Sequence, residues 1–102
     1  MIRQNPGDSG AYYDRGNAYQ TKGDLDRAVA DYDVAIQLDP NGAKALNNRG
    51  YAYQAKGDLD RAVADFGQAI QLDPNYILAF INRGNAYQAK GDFDRAIADL
   101  TK

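Results

Sequence analysis

Apolar residues recur along this chain at the spacing of helix turns, not at the alternation of a β-strand. The first stripe consists of Ala11, Tyr12, Ala18 and Tyr19, which recur after seven and eight residues, or two helix turns. The second stripe consists of Leu25, Ala28, Val29, Tyr32, Ala35 and Ile36. Such steps place side chains on one face of an α-helix. The pattern therefore predicts two short amphipathic helices in succession.

The residues beside each stripe predict where the helices begin and end. Gly23 suits the left-handed residue after a helix, and Asp24 is a strong N-cap for the next one. The second helix is predicted to end near Pro40, which lacks an amide hydrogen and disfavours α geometry in the residue before it. A calcium loop of the EF-hand type needs a closing Glu, and none follows the paired aspartates. We therefore interpret them as helix caps, and they are Asp24/Asp26, Asp58/Asp60 and Asp92/Asp94.

The same pattern returns with a period of 34 residues. Residues 9–42 and 43–76 are identical at 23 of 34 positions, and residues 77–102 follow the same order. A fixed period of this size indicates a repeat architecture in which each unit contacts its neighbours. We predict whole units over 9–42 and 43–76, a truncated unit over 77–102, and the tail of a preceding repeat over 1–8.

A glycine recurs in the middle of each predicted first helix, where it costs about 1 kcal/mol relative to Ala. Close approach of another helix would compensate for this cost. We expect the bulky residues of the second helices to pack there, and the predicted pairs are Gly16 with Tyr32, Gly50 with Phe66, and Gly84 with Leu100.

Each unit resembles the tetratricopeptide repeat family, and the second unit carries the pattern in Leu46, Gly50, Tyr53, Ala62, Phe66, Ala69 and Pro74. The resemblance implies an all-α, right-handed superhelical solenoid of antiparallel helix pairs. It also implies a concave groove, lined by the first helices, that typically holds a peptide. One departure is an arginine where the family usually has Leu. We hypothesise that each arginine pairs with an aspartate of its own second helix, giving Arg15–Asp31, Arg49–Asp65 and Arg83–Asp99.

Composition argues against catalysis. The chain of 102 residues contains no His and no Cys, and all 14 of its acidic residues are Asp. It therefore lacks the common nitrogen and sulfur ligands of metals and the usual proton-transfer residue. The aliphatic hydroxyls of Ser9, Thr21 and Thr101 have no His to activate them. We predict a non-enzymatic protein with no metal and no cofactor.

Charge and hydropathy limit the classes of partner that the chain could bind. The formal net charge of -2 provides no basic footprint for nucleic acid, and we interpret the recurring Tyr19, Tyr53 and Tyr87 as core residues. The longest unbroken apolar run, Tyr76–Ile81, has six residues, far below the roughly 20 of a membrane span. The lack of Cys excludes disulfides and fits a reducing compartment such as the cytoplasm. We expect neither a nucleic-acid nor a membrane partner.

Differences between units indicate where a partner would bind. Seven of the 11 positions that differ between the first two units lie on the first helix or at its start. The groove positions implied by the resemblance are Tyr13, Asn17, Gln20, Lys44, Asn47, Asn48, Tyr51, Gln54, Leu78, Ile81, Asn82 and Asn85. Their amides offer donors and acceptors to an extended peptide. Relaxed drift of a free surface would give the same variation.

One family subtype grips the C-terminal carboxylate of a chaperone with two Lys, two Asn and an Arg. Asn17 and Asn48 match that pattern, whereas Tyr13, Leu78 and Asn82 stand at the cation positions. Three lost charge-assisted contacts, at about 1.5 to 3 kcal/mol each, would cancel most of a micromolar affinity of about 8 kcal/mol. Binding of a chaperone tail is therefore disfavoured.

Two functions remain. The first is a scaffold that binds a peptide or partner protein of unknown identity in the groove. The second is a self-associating segment, a homo-oligomer whose repeat ends stack end to end. It is motivated by ends without a polar capping unit and by the apolar run Tyr76–Ile81.

Overall fold

A computed structural model describes residues 8–102 of the chain. These residues form the helices α1 (Ser9–Lys22), α2 (Leu25–Leu38), α3 (Ala43–Ala55), α4 (Leu59–Leu72), α5 (Ile77–Lys90) and α6 (Phe93–Leu100). The helices pair as α1 with α2, α3 with α4, and α5 with α6, and α2–α3 and α4–α5 contacts join consecutive pairs. The predicted all-helical solenoid of helix pairs is confirmed. Residues 1–7, which make up most of the expected tail of a preceding repeat, lie outside the described residues.

The helix boundaries follow the predicted caps. The side chain of Asp24 accepts a hydrogen bond from the backbone amide of Arg27 (3.3 Å), and Asp58 and Asp92 make the same contact in their units. Each second helix therefore begins at an aspartate that satisfies a free amide of its first turn. The turn before each cap requires a left-handed glycine, and these are Gly23, Gly57 and Gly91, with φ of 90, 88 and 85°.

The closest contact within each helix pair is made at a glycine. The glycine of the first helix lies directly against the bulky residue of the second in three pairs, Gly16–Tyr32, Gly50–Phe66 and Gly84–Leu100. A Cβ at any of these glycines would lie within 2.8 Å of the facing side chain, closer than any carbon–carbon contact in a packed interior. The predicted packing is confirmed, and it brings the two helices of each unit together.

An arginine–aspartate pair links the same helices. Nε and Nη2 of Arg49 each donate to a different carboxylate oxygen of Asp65, both at 2.8 Å. Asp65 is 5% exposed, and this bidentate arrangement compensates for burying its charge. Hydrogen bonding to Asp65 raises the pKa of Arg49 above its ordinary value. The same bidentate geometry joins Arg15–Asp31 and Arg83–Asp99 at 2.7–2.8 Å, which confirms the hypothesis drawn from the sequence.

The recurring tyrosines pack between two arginines. The guanidinium carbons of Arg49 and Arg61 each lie 5.7 Å from the ring centroid of Tyr53, within the range of cation–π attraction. Tyr19 and Tyr87 have corresponding pairs of arginines. All three rings are half-buried. The interpretation of these tyrosines as core residues is therefore correct only for the part of each ring that packs inward.

The first helices lie on the inner side of the stack. Helix α1 contacts α3, and α3 contacts α5, whereas within residues 8–102 the second helices make no contact with one another. A stack whose units touch more closely on one side curves toward that side, so α1, α3 and α5 line its concave surface. The described part measures 46 × 26 × 17 Å. None of its helices is long and apolar enough to cross a membrane.

Candidate functional site

A chain of hydrogen-bonded side chains runs across the first helices of all three units. In α3, Asn48 Nδ2 donates to Asn17 Oδ1 (2.9 Å) and to Tyr13 Oη (3.1 Å) of α1. In α5, Asn82 Nδ2 donates to Asn47 Oδ1 (3.1 Å) of α3. Asn47 Nδ2 donates to Asn48 Oδ1 (3.3 Å) and joins the two halves. We call the four asparagines together with Tyr13 the amide network.

At its α1 end the amide network meets the hydroxyl of Tyr32. Tyr32 Oη lies 2.5 Å from Asn17 Oδ1 and 2.8 Å from Gln20 Oε1. One hydroxyl hydrogen can serve only one of these acceptors, and Gln20 Nε2 is buried without a partner. If the oxygen and nitrogen of the Gln20 amide are exchanged, Nε2 donates to the hydroxyl and Oε1 becomes the buried atom without a partner. The hydroxyl of Tyr32 is protonated at neutral pH and can donate, and burial raises its pKa further above the ordinary 10.0.

Two atoms of the amide network have no partner within the described part of the chain. Asn17 Nδ2 donates to no group of residues 8–102, and Asn82 Oδ1 accepts from no group of these residues. Neither atom is among the buried atoms that lack a hydrogen-bond partner. Both atoms therefore reach solvent, where water satisfies them. A free donor and a free acceptor on adjoining helices complement the C=O and N–H groups of an extended peptide.

Asn47 does not face the groove. Its side chain is 1% exposed, because it lies between its hydrogen-bond partners Asn48 and Asn82 where α3 meets α5. This burial corrects the expectation that Asn47 contacts a ligand directly. The residue instead connects the amides of neighbouring units.

Three large apolar residues of the predicted groove are exposed. Tyr51 on α3 is 52% exposed, and Leu78 and Ile81 on α5 are 51% and 41% exposed. Exposed apolar side chains of this size are potential anchors for a partner. Within residues 8–102 the side chains of the remaining predicted residues make no hydrogen bond, and these residues are the exposed Lys44 and Asn85 and the half-buried Gln54.

A pocket of about 610 Å³ opens where the connections between units meet the starts of α1 and α3. The residues that line it include Tyr13 and Tyr76, Asp39 and Asp73, and Lys44. Two aromatic rings give it an apolar wall, while two carboxylates against one ammonium group give it a net negative charge. The pocket adjoins the amide network, because Tyr13 belongs to both.

Sequence reasoning missed two tyrosines at this site. Tyr76 lines the pocket, and burial raises the pKa of its hydroxyl; it stands where the first unit has Gly42. Tyr32 was predicted only as a packing residue, yet its hydroxyl contacts the amide network. Phe66, its counterpart in the second unit, has no hydroxyl. In both cases the sequence did contain an indication, because the residue differs between repeat units at a position outside the first helices.

The fold and the groove together define a class of protein, a helical-repeat scaffold with a concave polar surface. Comparison with family models gives the particular family. Models described as tetratricopeptide repeat match residues 43–76 and, separately, residues 1–30 and 66–98, and a model described as TPR repeat matches residues 16–57. The chain belongs to the tetratricopeptide repeat family. Scaffolds of this family are typically non-enzymatic modules for protein interaction.

Solved structures share the fold over nearly the whole chain. The crystal structure of MamA matches with a TM-score of 0.93 and 27% identity, covering 98% of this chain and 58% of that one. The second TPR of Spaghetti (RPAP3), bound to the HSP90 peptide SRMEEVD, matches with a TM-score of 0.90 and 31% identity, covering 99% and 94%. The Arabidopsis OM64 TPR domain matches with a TM-score of 0.90 and 27% identity, covering 91% and 77%. The chain thus spans little more than half of the MamA chain. No curated protein matches it.

Proposed function

We propose that the chain binds an extended segment of a partner protein along the concave surface formed by α1, α3 and α5. The observation that supports this most directly is the amide network, which spans all three first helices and leaves Asn17 Nδ2 and Asn82 Oδ1 unpaired. An extended chain presents C=O and N–H groups in alternation. The fold is also that of protein-interaction scaffolds, one of which has a peptide bound.

The amide network holds its own side chains in place before a ligand arrives. Both hydrogens of Asn48 Nδ2 are directed at acceptors of α1, and Asn47 is fixed between two other asparagines. Side chains that are already ordered lose little entropy on binding, whereas each newly ordered one costs about 0.5–1.5 kcal/mol. The groove is therefore preorganised toward a peptide backbone.

Affinity would come from apolar anchors beside these amides. Tyr51, Leu78 and Ile81 expose large side chains on α3 and α5, and the pocket beside Tyr13 has room for a bulky side chain. Aromatic anchors of this kind are common interface hot spots. We propose that the ligand carries apolar or aromatic residues.

The charge of the site disfavours an acidic ligand. The peptide SRMEEVD bound by the Spaghetti domain is acidic. In this chain Tyr13, Leu78 and Asn82 occupy the positions where the family's carboxylate-binding subtype has cations. The residues lining the pocket add two aspartates, Asp39 and Asp73, against one lysine, Lys44. We propose a neutral or basic ligand that meets the groove with its backbone and apolar side chains.

The test uses a displayed library of random linear peptides selected against the 102-residue chain. An enriched peptide is then synthesised and titrated against wild type, Tyr51→Ala, Asn17→Ala and Gln68→Ala. Gln68→Ala is the control, because Gln68 is exposed and belongs to α4, which is not one of the first helices. Tyr51→Ala should weaken binding by about 30-fold, the equivalent of a hot spot of about 2 kcal/mol. Equal affinity in wild type, Tyr51→Ala and Asn17→Ala would contradict groove binding.

A second titration tests the charge of the ligand. The probe is the peptide SRMEEVD beside a synthetic version in which both Glu residues are replaced by Gln. We expect the acidic peptide to bind no better than the neutral one, and binding should not strengthen at low salt. Tight, salt-sensitive binding of the acidic peptide would retain the groove as the site but overturn the proposed ligand chemistry.

A further inference from the structure

The outer surface of α1 matches surfaces that are fully buried inside the stack. Ala52 of α3 and Ala86 of α5 are 0% exposed, because each packs against the second helix of the preceding unit. Ala18 holds the corresponding position in α1 and is exposed. Arg15 likewise has 38% of its side chain exposed, against 20% for Arg49 and 24% for Arg83. Helix α1 thus presents a surface whose copies in α3 and α5 are covered by a second helix.

Helix α6 presents the complementary surface. Phe93, Ile97 and Leu100 are 60%, 61% and 44% exposed, and their spacing places them along one helix face. The corresponding Val63 packs with Ala86 of the next unit, and the corresponding Phe66 is fully buried in the same cluster. In the interior of the stack, this face of a second helix is covered by the first helix that follows it.

An ion pair marks the register of each interior junction. Lys56, just after α3, pairs with Asp26 in the first turn of α2, and Lys90, at the end of α5, pairs with Asp60 in the first turn of α4. The corresponding lysine of the first unit is Lys22, at the end of α1, and the corresponding aspartate of the third unit is Asp94, in the first turn of α6. Neither has an ion-pair partner among residues 8–102. The two ends of the stack therefore carry opposite members of one recurring pair.

We propose that α6 of one copy of this chain docks on α1 of a second copy in the register of the interior junctions. Ile97 of the first copy would pack on Ala18 of the second, and Asp94 of the first would pair with Lys22 of the second. The two faces differ, so the contact is head-to-tail and leaves one face free at each end. Association would therefore add copies in a row instead of stopping at a symmetric dimer.

A second copy is the occupant that these surfaces specify. In the interior junctions, α3 and α5 contact the preceding second helix through small residues and a lysine at the helix end. The first helix of another copy has the same kinds of residue at these positions and belongs to a nearly identical unit. The first interior junction has an additional pair, Arg49–Asp33, but the second has Gly67 where Asp33 would be and forms without it. The intermolecular junction, with Thr101 at that position, would resemble the second one.

Sedimentation velocity over a concentration series of the 102-residue chain tests the proposal. Wild type should show larger species as concentration rises. Lys22→Asp alone or Asp94→Lys alone places like charges at the contact and should lower the association constant by roughly five-fold. Lys44→Asp makes the same charge change as Lys22→Asp on the groove side and should leave association unchanged.

The decisive measurement mixes the two variants. In an equimolar mixture, the aspartate introduced at position 22 meets the lysine introduced at position 94, and the original Lys22 of one variant meets the original Asp94 of the other. Both contacts are attractive, so the mixture should recover the strength of association that each variant loses alone. The recovery should weaken as salt concentration rises.

The apolar part of the contact is tested by Ile97→Asp, at a position exposed enough to tolerate the change in the folded chain. Circular dichroism checks that its helices persist, and association should fall more than ten-fold. The proposal is overturned if wild type stays monomeric up to its solubility limit. It is equally overturned if wild type associates but the charge variants and Ile97→Asp associate as strongly.

Discussion

The ring of Phe66 lies so close to the backbone of Gly50 that a Cβ at position 50 would be 2.7 Å from Cε1 of Phe66. The ring is fully buried and packs with Ala62 of its own helix and Ala86 of the next unit. A fully buried ring can move only by displacing its packed neighbours. The absence of a side chain at position 50 therefore sets the distance between α3 and α4.

Gly50→Ala should lower the free energy of unfolding by about 1–2 kcal/mol, because the overpacking cost outweighs a gain in helix propensity of about 1 kcal/mol. Gly84→Ala is the matched comparison: the new Cβ would lie 3.2 Å from Cβ of the buried Asp99, but its nearest neighbour, Leu100, is 44% exposed and can shift, so the loss should be smaller. Urea denaturation of both variants measures the difference. A Gly50→Ala chain as stable as wild type would show that α3 and α4 can separate at low cost.

Gly67→Asp should stabilise the second interior junction. A Cβ at position 67 would lie 3.6 Å from Arg83 Nη1, and at the same place in the first junction Asp33 pairs with Arg49 at 2.8 Å. The added pair and the removal of a helix glycine together contribute about 0.5–1 kcal/mol to the free energy of unfolding. Gly67→Asn lacks the charge and should gain less. If the two variants are equally stable at low salt, Arg83 does not reach the new carboxylate.

Asp65→Asn should be far more damaging than Asp33→Asn, although both aspartates bind Arg49. Asp65 is 5% exposed and holds the guanidinium group through two bonds, so its loss leaves a partly buried cation and costs about 3 kcal/mol. Asp33 has 46% of its side chain exposed and makes one bond, which places its contribution at or below about 1 kcal/mol. Denaturant titration at neutral pH separates these values. Equal losses in the free energy of unfolding would mean that burial does not strengthen the contribution of Asp65 relative to that of Asp33.

Tyr32 should make stability fall at alkaline pH. Burial raises its pKa above the ordinary 10.0, so above pH 10 the unfolded chain releases a proton that the folded chain keeps. The stability that this protonated hydroxyl contributes is complete below pH 10 and declines as pH rises toward the folded-state pKa. The difference in unfolding free energy between wild type and Tyr32→Phe should therefore shrink by up to about 1.4 kcal/mol per pH unit above 10. A difference that stays constant between neutral and alkaline pH would contradict this.

Features that depend on one repeat unit could be predicted from the sequence. Arg49 and Asp65 lie within one period, as do Gly50 and Phe66, and the internal repetition shows that each pair is kept together. The caps at Asp24 and its copies are more local still. Periodicity alone fixes which residues face each other inside such a helix pair.

Features that depend on how units meet could not be predicted in the same way. Asn47 and Asn48 are neighbours that point about 100° apart on the helix, and only the angle between α3 and its neighbours decides which one is buried. The sequence likewise shows a hydroxyl at Tyr32 but not that it reaches the boundary between units. Three of the four hydrogen bonds within the amide network cross from one unit to the next, which is why its connectivity emerged only from the structure.

Each helix of residues 8–102 touches the next helix along the chain or the corresponding helix of the adjacent unit, and none more distant. Folding of this part therefore requires no remote segments to meet, and order can spread from any helix pair to its neighbours. Within residues 8–102 the pair α3–α4 adjoins a unit on each side, whereas α1–α2 and α5–α6 each adjoin one. Opening should consequently proceed inward from both sides, and in native-state hydrogen exchange the amides of α3 and α4 should be the last to exchange.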